Sequence, residues 1–260
     1  MKRKLFTLLS LFVLAGMILA ACGPAATEAP AATEAPVVAT EAPATVAPTE
    51  APVACAPAAP GWDPTTADVG SKGITIAFEQ EPDQAVGTYS NMSFAAWIYQ
   101  IYGVGPGKWD DQSNLISYAA TEVPSADNGG VSADGLTITW HLKPCIFWSD
   151  GEPITSKDFA FTFKSNMDPA NAPISRSGWD KIASVDTPDD QTVVVTFSTL
   201  YPSWPTIYNL GPNNSSGGVL PAHIFEGKTG LETNPQIHQP SWAGGPFAIK
   251  EWIAGDHMTL

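Results

Sequence analysis

Residues 23–60 are built almost wholly from Ala, Pro, Thr, Val and Glu, and this tract limits where the chain can fold. The unit Ala-Thr-Glu-Ala-Pro recurs at 26–30, 32–36 and 39–43, with a worn copy at Pro48–Pro52. Its eight prolines remove backbone donors and fix φ, which denies the stretch a continuous helix or a sheet ladder. Its aliphatic side chains are too small to bury much surface. The tract is expected to stay extended, with a reach on the order of 100 Å at about 3.1 Å per residue. The part able to build a core therefore begins near Gly61, and all nine tryptophans lie beyond that point.

Before the tract, Lys2-Arg3-Lys4 precedes an apolar run from Leu5 to Ala21, which ends Leu19-Ala20-Ala21-Cys22. A basic flank, a short apolar core and small residues before the break are the pattern of an export signal. The final four residues resemble the bacterial lipobox, in which the cysteine is acylated and the preceding bond is cut. Residues 1–21 are thus expected to be a signal peptide, Cys22 the lipidated N-terminus, and 22–60 a tether. An ordinary secretory signal or an uncleaved anchor helix is the alternative. Loss of residues 1–21 removes three positive charges and no negative one, taking the net charge from −14 to about −17. Such acidity leaves no basic patch for nucleic acid or an anionic membrane surface. Export would permit a Cys55–Cys145 disulfide. One partner would sit in the tether, so two unpaired thiols are expected instead.

Within 61–260 the periodicities alternate between helix and strand. Ile74, Ile76 and Phe78 alternate as in a strand. Phe94, Trp97, Ile98 and Ile101 fall on one helical face of 91–102. Leu136, Ile138, Trp140 and Leu142 share one side of a predicted strand that leaves His141 on the other. Thr192–Phe197 is a β-branched strand signal. Pro246–Ile253 and Asp256–Leu260 read as two strands around an Ala-Gly-Asp turn. Phe159, Phe161 and Phe163 fit a strand, but Thr155 with Asp158 three residues later is close to a capping box and predicts a helix over 156–167. Gly103–Gly107 is expected to be a turn. Asp256–Leu260 halts in mid-alternation, as if the chain were cut short.

No enzyme motif emerges. There is no Gly-x-Ser-x-Gly, no His-Glu-x-x-His and no complete P-loop. His141, His223, His238 and His257 are scattered, and each is expected to be a surface or hydrogen-bonded residue without a metal. The pairs Asp110-Asp111 and Asp189-Asp190 suit turns. Neither a cofactor nor a resident metal is expected.

Several blocks in order resemble the extracellular solute-binding proteins of the oligopeptide and dipeptide class, solute-binding protein family 5. They are Asp134-Gly-Leu-Thr-Ile-Thr-Trp-His-Leu-Lys143, Ile146-Phe-Trp-Ser-Asp-Gly-Glu-Pro-Ile-Thr155 with its following helix, and Val185–Phe197. Leu220-Pro-Ala-His-Ile224 and Gly244-Gly-Pro-Phe-Ala-Ile-Lys-Glu-Trp252 with Gly255-Asp256 complete the set. Cys145 stands where the family often carries a small turn residue, and Gly244-Gly245 where it usually has Thr-Gly. The resemblance implies an α/β fold of the two-lobe, periplasmic-binding-protein-like class II type. Residues 61–260 would be the N-terminal part of that domain: the first lobe with an inserted subdomain at about 85–235, the second lobe missing. It further implies no enzyme activity, a peptide or other small solute as ligand, ABC permease subunits as partners, and a monomer held outside the cell membrane by its anchor. Three segments match the family's first-lobe cleft wall: Glu79-Gln80-Glu81-Pro82, Tyr102, and Gly245-Pro246-Phe247. A solvated strand end is the alternative for Glu79 and Glu81, and core packing for Tyr102 and Phe247. A surface sensor or adhesion protein, or a secreted hydrolase, are the competing functions.

Overall fold

The computed structural model describes residues 73–211 and 217–260. The signal segment 1–21, Cys22, the tether 22–60 and Cys55 all lie outside the described residues.

The core is organised by a three-stranded antiparallel sheet with β3 (Thr137–His141), β4 (Ile182–Asp189) and β5 (Thr192–Phe197) in the order β3-β5-β4. Register sets Ile138 opposite Val195 and Trp140 opposite Val193. Because side chains alternate across a strand, Ile138, Trp140, Val193, Val195 and Phe197 fall on one buried face. His141 is exposed on the opposite side, as its place in the alternation requires. Asp189 and Asp190 make the β4–β5 turn, where the Asp189 carboxylate accepts from the backbone N–H of Gln191 at 2.8 Å and the Thr192 hydroxyl at 3.0 Å.

Ahead of the sheet come α1 (Ser93–Tyr102) and a short hairpin of β1 (Gly107–Trp109) with β2 (Leu115–Ser117). Helix α2 (Ser156–Met167) lies over β4 and β5 with Phe159 fully buried. It starts where the capping box predicts: Thr155 is the N-cap, and the Asp158 carboxylate accepts from its backbone N–H at 2.8 Å. Two four-residue helices, α3 (Ala222–Phe225) and α4 (Pro235–His238), follow. The chain ends in a hairpin of β6 (Glu251–Ile253) and β7 (His257–Thr259), turned at Ala254-Gly255-Asp256 with Gly255 at φ 77°.

Four expectations are corrected. Residues 74–78 form no strand; they are extended, and Ile74 and Ile76 are 88% and 64% exposed. Alternation marks an apolar face, but no described strand supplies a hydrogen-bonding partner, and only the Phe78 ring finds cover, against Phe94 and Trp97. In α1 the buried stripe is Ala95, Ile98, Tyr99 and Tyr102, about one residue round from the predicted face. Both faces are apolar, so spacing alone did not choose between them. Gly103–Gly107 is a buried extended segment instead of a turn. The Val104 carbonyl accepts from the Val219 N–H at 2.8 Å, and a Cβ on Gly105 would stand 2.4 Å from the Tyr208 carbonyl oxygen. These glycines serve close backbone approach. Cys145 is disulfide-bonded, where an unpaired thiol was expected, and its φ of 60° suits the small turn residue the family often carries there.

Beyond the C-terminus of α2, the Arg176 guanidinium ties down the loop. It donates to the carbonyls of Asn166 at 2.8 Å, Asp168 at 2.9 Å and Asn171 at 2.7 Å. A cation at a helix C-terminus also suits the helix dipole. Arg176→Ala should lower the unfolding free energy by about 2 kcal/mol, with partial recovery in Arg176→Lys, since charged hydrogen bonds contribute about 1.5–3 kcal/mol and water replaces some of them. Urea unfolding of the three proteins checks this.

Candidate functional site

The segments suggested as a cleft wall come from three places in the chain; backbone contacts join Tyr102 to Gly245, and the Glu81 carboxylate reaches the hairpin that follows Phe247. Tyr102 ends α1. Its ring is fully buried, packed edge-on against Tyr99 at 5.3 Å and Trp242 at 5.8 Å. Burial pushes its phenol well above the usual value, so it stays neutral. What Tyr102 offers the site is its carbonyl, which accepts from the N–H of Gly244 at 3.0 Å and of Gly245 at 2.8 Å.

That double contact requires glycine. A Cβ on Gly245 would lie 2.8 Å from the carbonyl oxygens of Ile101 and Gly103, and one on Gly244 would lie 2.5 Å from Val104 Cγ1. The Gly-Gly pair therefore lets 243–247 lie flat on the helix end. Phe247 follows with 55% of its surface exposed, so core packing does not account for it.

Residues 79–82 form the third segment. Glu79 and Gln80 are exposed and Pro82 is buried. The Glu81 carboxylate is engaged, accepting from Trp252 Nε1 at 2.5 Å and the Gly255 N–H at 2.9 Å. It braces the β6–β7 hairpin, the segment that follows Phe247. Of the seven residues suggested as a wall, Glu79, Gln80 and Phe247 thus present side chains to solvent, the exposed Glu81 is hydrogen-bonded to the hairpin, Pro82 and Tyr102 are buried, and Gly245 is bonded to the Tyr102 carbonyl.

Next to Ala243 and Gly244 lies a polar and aromatic group. Trp148 is buried, with its ring edge-on to Trp242 at 5.6 Å and beside the His223 ring at 6.4 Å. Ser149 and Ala243 exchange two bonds: Ser149 N–H to the Ala243 carbonyl at 2.8 Å, and Ala243 N–H to Ser149 Oγ at 2.9 Å. His223 Nε2 meets Asp150 Oδ2 at 2.8 Å, in line with the expectation of a hydrogen-bonded histidine. Burial opposes ionisation of Asp150, but the bonds from His223 and the Glu152 N–H prevail and hold its carboxyl below the usual range. Asp158 is pushed upward by burial, against the bonds it accepts from the backbone of Thr155 and Ala222. The only sequence signal for this group was the presence of the Ser-Asp-Gly and Leu-Pro-Ala-His-Ile blocks.

A groove of about 250 Å³ lined by Phe161, Lys164, Asp168, Glu226 and Lys228, among others, shares no residue with the wall. Among the described residues no cluster of three or more His, Cys, Asp or Glu could hold a metal, and no helix is long and apolar enough to cross a membrane.

Residues 73–260 match the family model described as bacterial extracellular solute-binding proteins, family 5, middle region. The chain belongs to that family. A Brucella ovis protein named as an ABC transporter peptide-binding protein is 30% identical over 133 residues, which are 50% of this chain and 24% of that protein. The oligopeptide-binding protein AppA of Bacillus subtilis, solved with a nonapeptide, superposes with a TM-score of 0.59 at 23% identity, over 68% of this chain and 34% of AppA. NikZ of Campylobacter jejuni, solved with Ni(L-His), gives 0.58 at 23% identity, over 69% of this chain and 33% of NikZ. The family 5 chain thus has the fold of part of a two-lobed solute-binding protein. It spans about a quarter of the length of the curated relative and a third of each solved structure.

Proposed function

We propose that this family 5 chain is the first-lobe portion of an extracytoplasmic lipoprotein that captures small solutes, peptides foremost, for an ABC importer. The observation that carries the reading is the family match across 73–260, the whole described region. Capture and delivery need no covalent step. Glu79, Gln80, the Gly245 backbone and Phe247 form one wall of the cleft. Glu81, Pro82 and Tyr102 hold that wall in place. An exposed aromatic ring suits peptides, which offer side chains to cover. A second lobe supplies the opposite wall, and the inserted subdomain spans about 85–235. Sensor, adhesion and hydrolase readings have no observation in their favour.

Cys22 is the acylated residue in this proposal, 1–21 the cleaved signal, and 22–60 the tether that sets the binding portion off the membrane. Cys22→Ser should release the protein into the medium or periplasm, or leave its signal uncleaved. Fractionation and intact mass check this: a variant processed and membrane-bound like the wild type removes the lipoprotein assignment.

A further inference from the structure

We infer that Asp150 and His223 form a clasp that positions the ligand-facing segment 243–247. The inference rests on the proposed function only in calling that segment ligand-facing.

Segment 243–247 is fixed from two directions. In front, the Tyr102 carbonyl accepts from Gly244 and Gly245. Behind, it meets Trp148 and Ser149 of the turn Trp148–Glu152, with Val104 beside Gly244. Ser149 exchanges its two bonds with Ala243, and the Trp148 ring edge lies so close to Gly244 that an added Cβ would stand 2.9 Å from it. Where that turn sits therefore decides where the wall sits.

The turn is closed locally by Trp148 N–H to the Glu152 carbonyl at 2.8 Å and Gly151 N–H to the Trp148 carbonyl at 2.9 Å. Those bonds fix its shape, and the buried Trp148 ring, packed on Trp242, seats its inner end. Its outer end is held by one side-chain contact, the 2.8 Å bond between Asp150 Oδ2 and His223 Nε2. His223 is itself anchored to α2 through its neighbours: Ala222 N–H donates to Asp158 Oδ1 at 2.8 Å and Leu220 N–H to Thr162 Oγ1 at 2.9 Å. A path of direct contacts thus runs from α2 through His223 and Asp150 to Ser149, Ala243 and Gly245. The clasp side chains keep 30% and 40% of their surface exposed, so either can be cut without opening the core.

Amide exchange by mass spectrometry on the 260-residue chain tests the clasp without any ligand. His223→Ala should speed exchange in peptides covering 243–247 about tenfold and leave β3, β5 and α2 unchanged, because local openings exchange independently of global unfolding. His223→Gln places an amide nitrogen near the lost Nε2 and should restore protection. If the two residues act as one device, Asp150→Asn combined with His223→Ala should add nothing to the larger single effect. Unchanged exchange at 243–247, or a rise spread through the sheet, overturns the inference. Absence of peptide binding by a form extended to the length of its relatives would count against the proposed function and leave this exchange result standing.

Discussion

Asp158→Ala is expected to cost about 3–5 kcal/mol of folding free energy, enough to leave a large fraction of the chain unfolded at 37 °C. Asp158 is buried, and its two oxygens are both committed. Oδ2 accepts from the Thr155 N–H at 2.8 Å and Oδ1 from the Ala222 N–H at 2.8 Å. Truncation orphans these donors, each at about 1–3 kcal/mol when water cannot reach it. It also removes half of the α2 capping box. One effect opposes this: burial raises the carboxyl's pKa, so the native state already bears a desolvation cost at neutral pH. That cost is smaller than the loss of both partners together with the cap. Native domains have only about 5–15 kcal/mol in hand. Asp158→Asn keeps one acceptor oxygen and turns an amide donor toward another donor, so an intermediate loss is expected. The pH dependence has a definite sign. A carboxyl whose folded pKa is raised holds its proton more tightly when native, so its contribution declines as pH rises through the unfolded value toward the folded one. The gap between wild type and Asp158→Asn should therefore be wider at acid pH than at pH 7. Urea unfolding at both pH values decides it, and a gap that widens with pH would show that burial does not dominate at Asp158.

What could be read from the sequence divides along a physical line between local and long-range causes. The capping box located α2 because Thr155 and Asp158 are three residues apart and satisfy each other locally. The alternation over 136–142 and 192–197 located β3 and β5, which pair with each other and so bury the faces their patterns mark. The pattern at 74–78 is equally clear, yet it forms no strand, since a strand needs a ladder that alternation cannot supply. The spacing in α1 matched two adjacent stripes, and tertiary packing chose the one carrying Tyr99 and Tyr102. Gly103–Gly107 looked like a turn because glycine spacing does not tell positive φ from close approach. At the wall, exposed Phe247 could be suspected from sequence. The service of Tyr102 through its carbonyl, and of Glu81 to a hairpin more than 170 residues away, could not. The Asp150–His223 contact joins residues 73 apart, and each had a sufficient local explanation as a turn or surface residue.

Calorimetry should find that the 260-residue chain binds peptides no tighter than about 1 mM, near −4 kcal/mol, while a form extended to the length of its relatives binds at least a hundredfold more tightly. The proposed wall explains why. A small ligand owes its affinity to enclosure, with most of its surface covered and its polar groups paired. Here Phe247 is 55% exposed and Glu79 and Gln80 face solvent, so a peptide lying on them would be covered on one side only. The 250 Å³ groove offers no substitute, because none of its lining residues belongs to the wall. A single exposed ring adds roughly 1.5–3 kcal/mol on full burial. Such a gain is consumed by the translational and rotational freedom lost on binding, at least about 4 kcal/mol. The solved relatives, of which this chain spans about a third, were captured with their ligands as much longer chains. Titrating a defined tripeptide mixture into both forms separates the readings. Micromolar binding by the 260-residue chain would mean that its own residues enclose a ligand, and the one-wall assignment of Glu79, Gln80, Gly245 and Phe247 would fall. Silence from both forms would instead remove peptides as the ligand class.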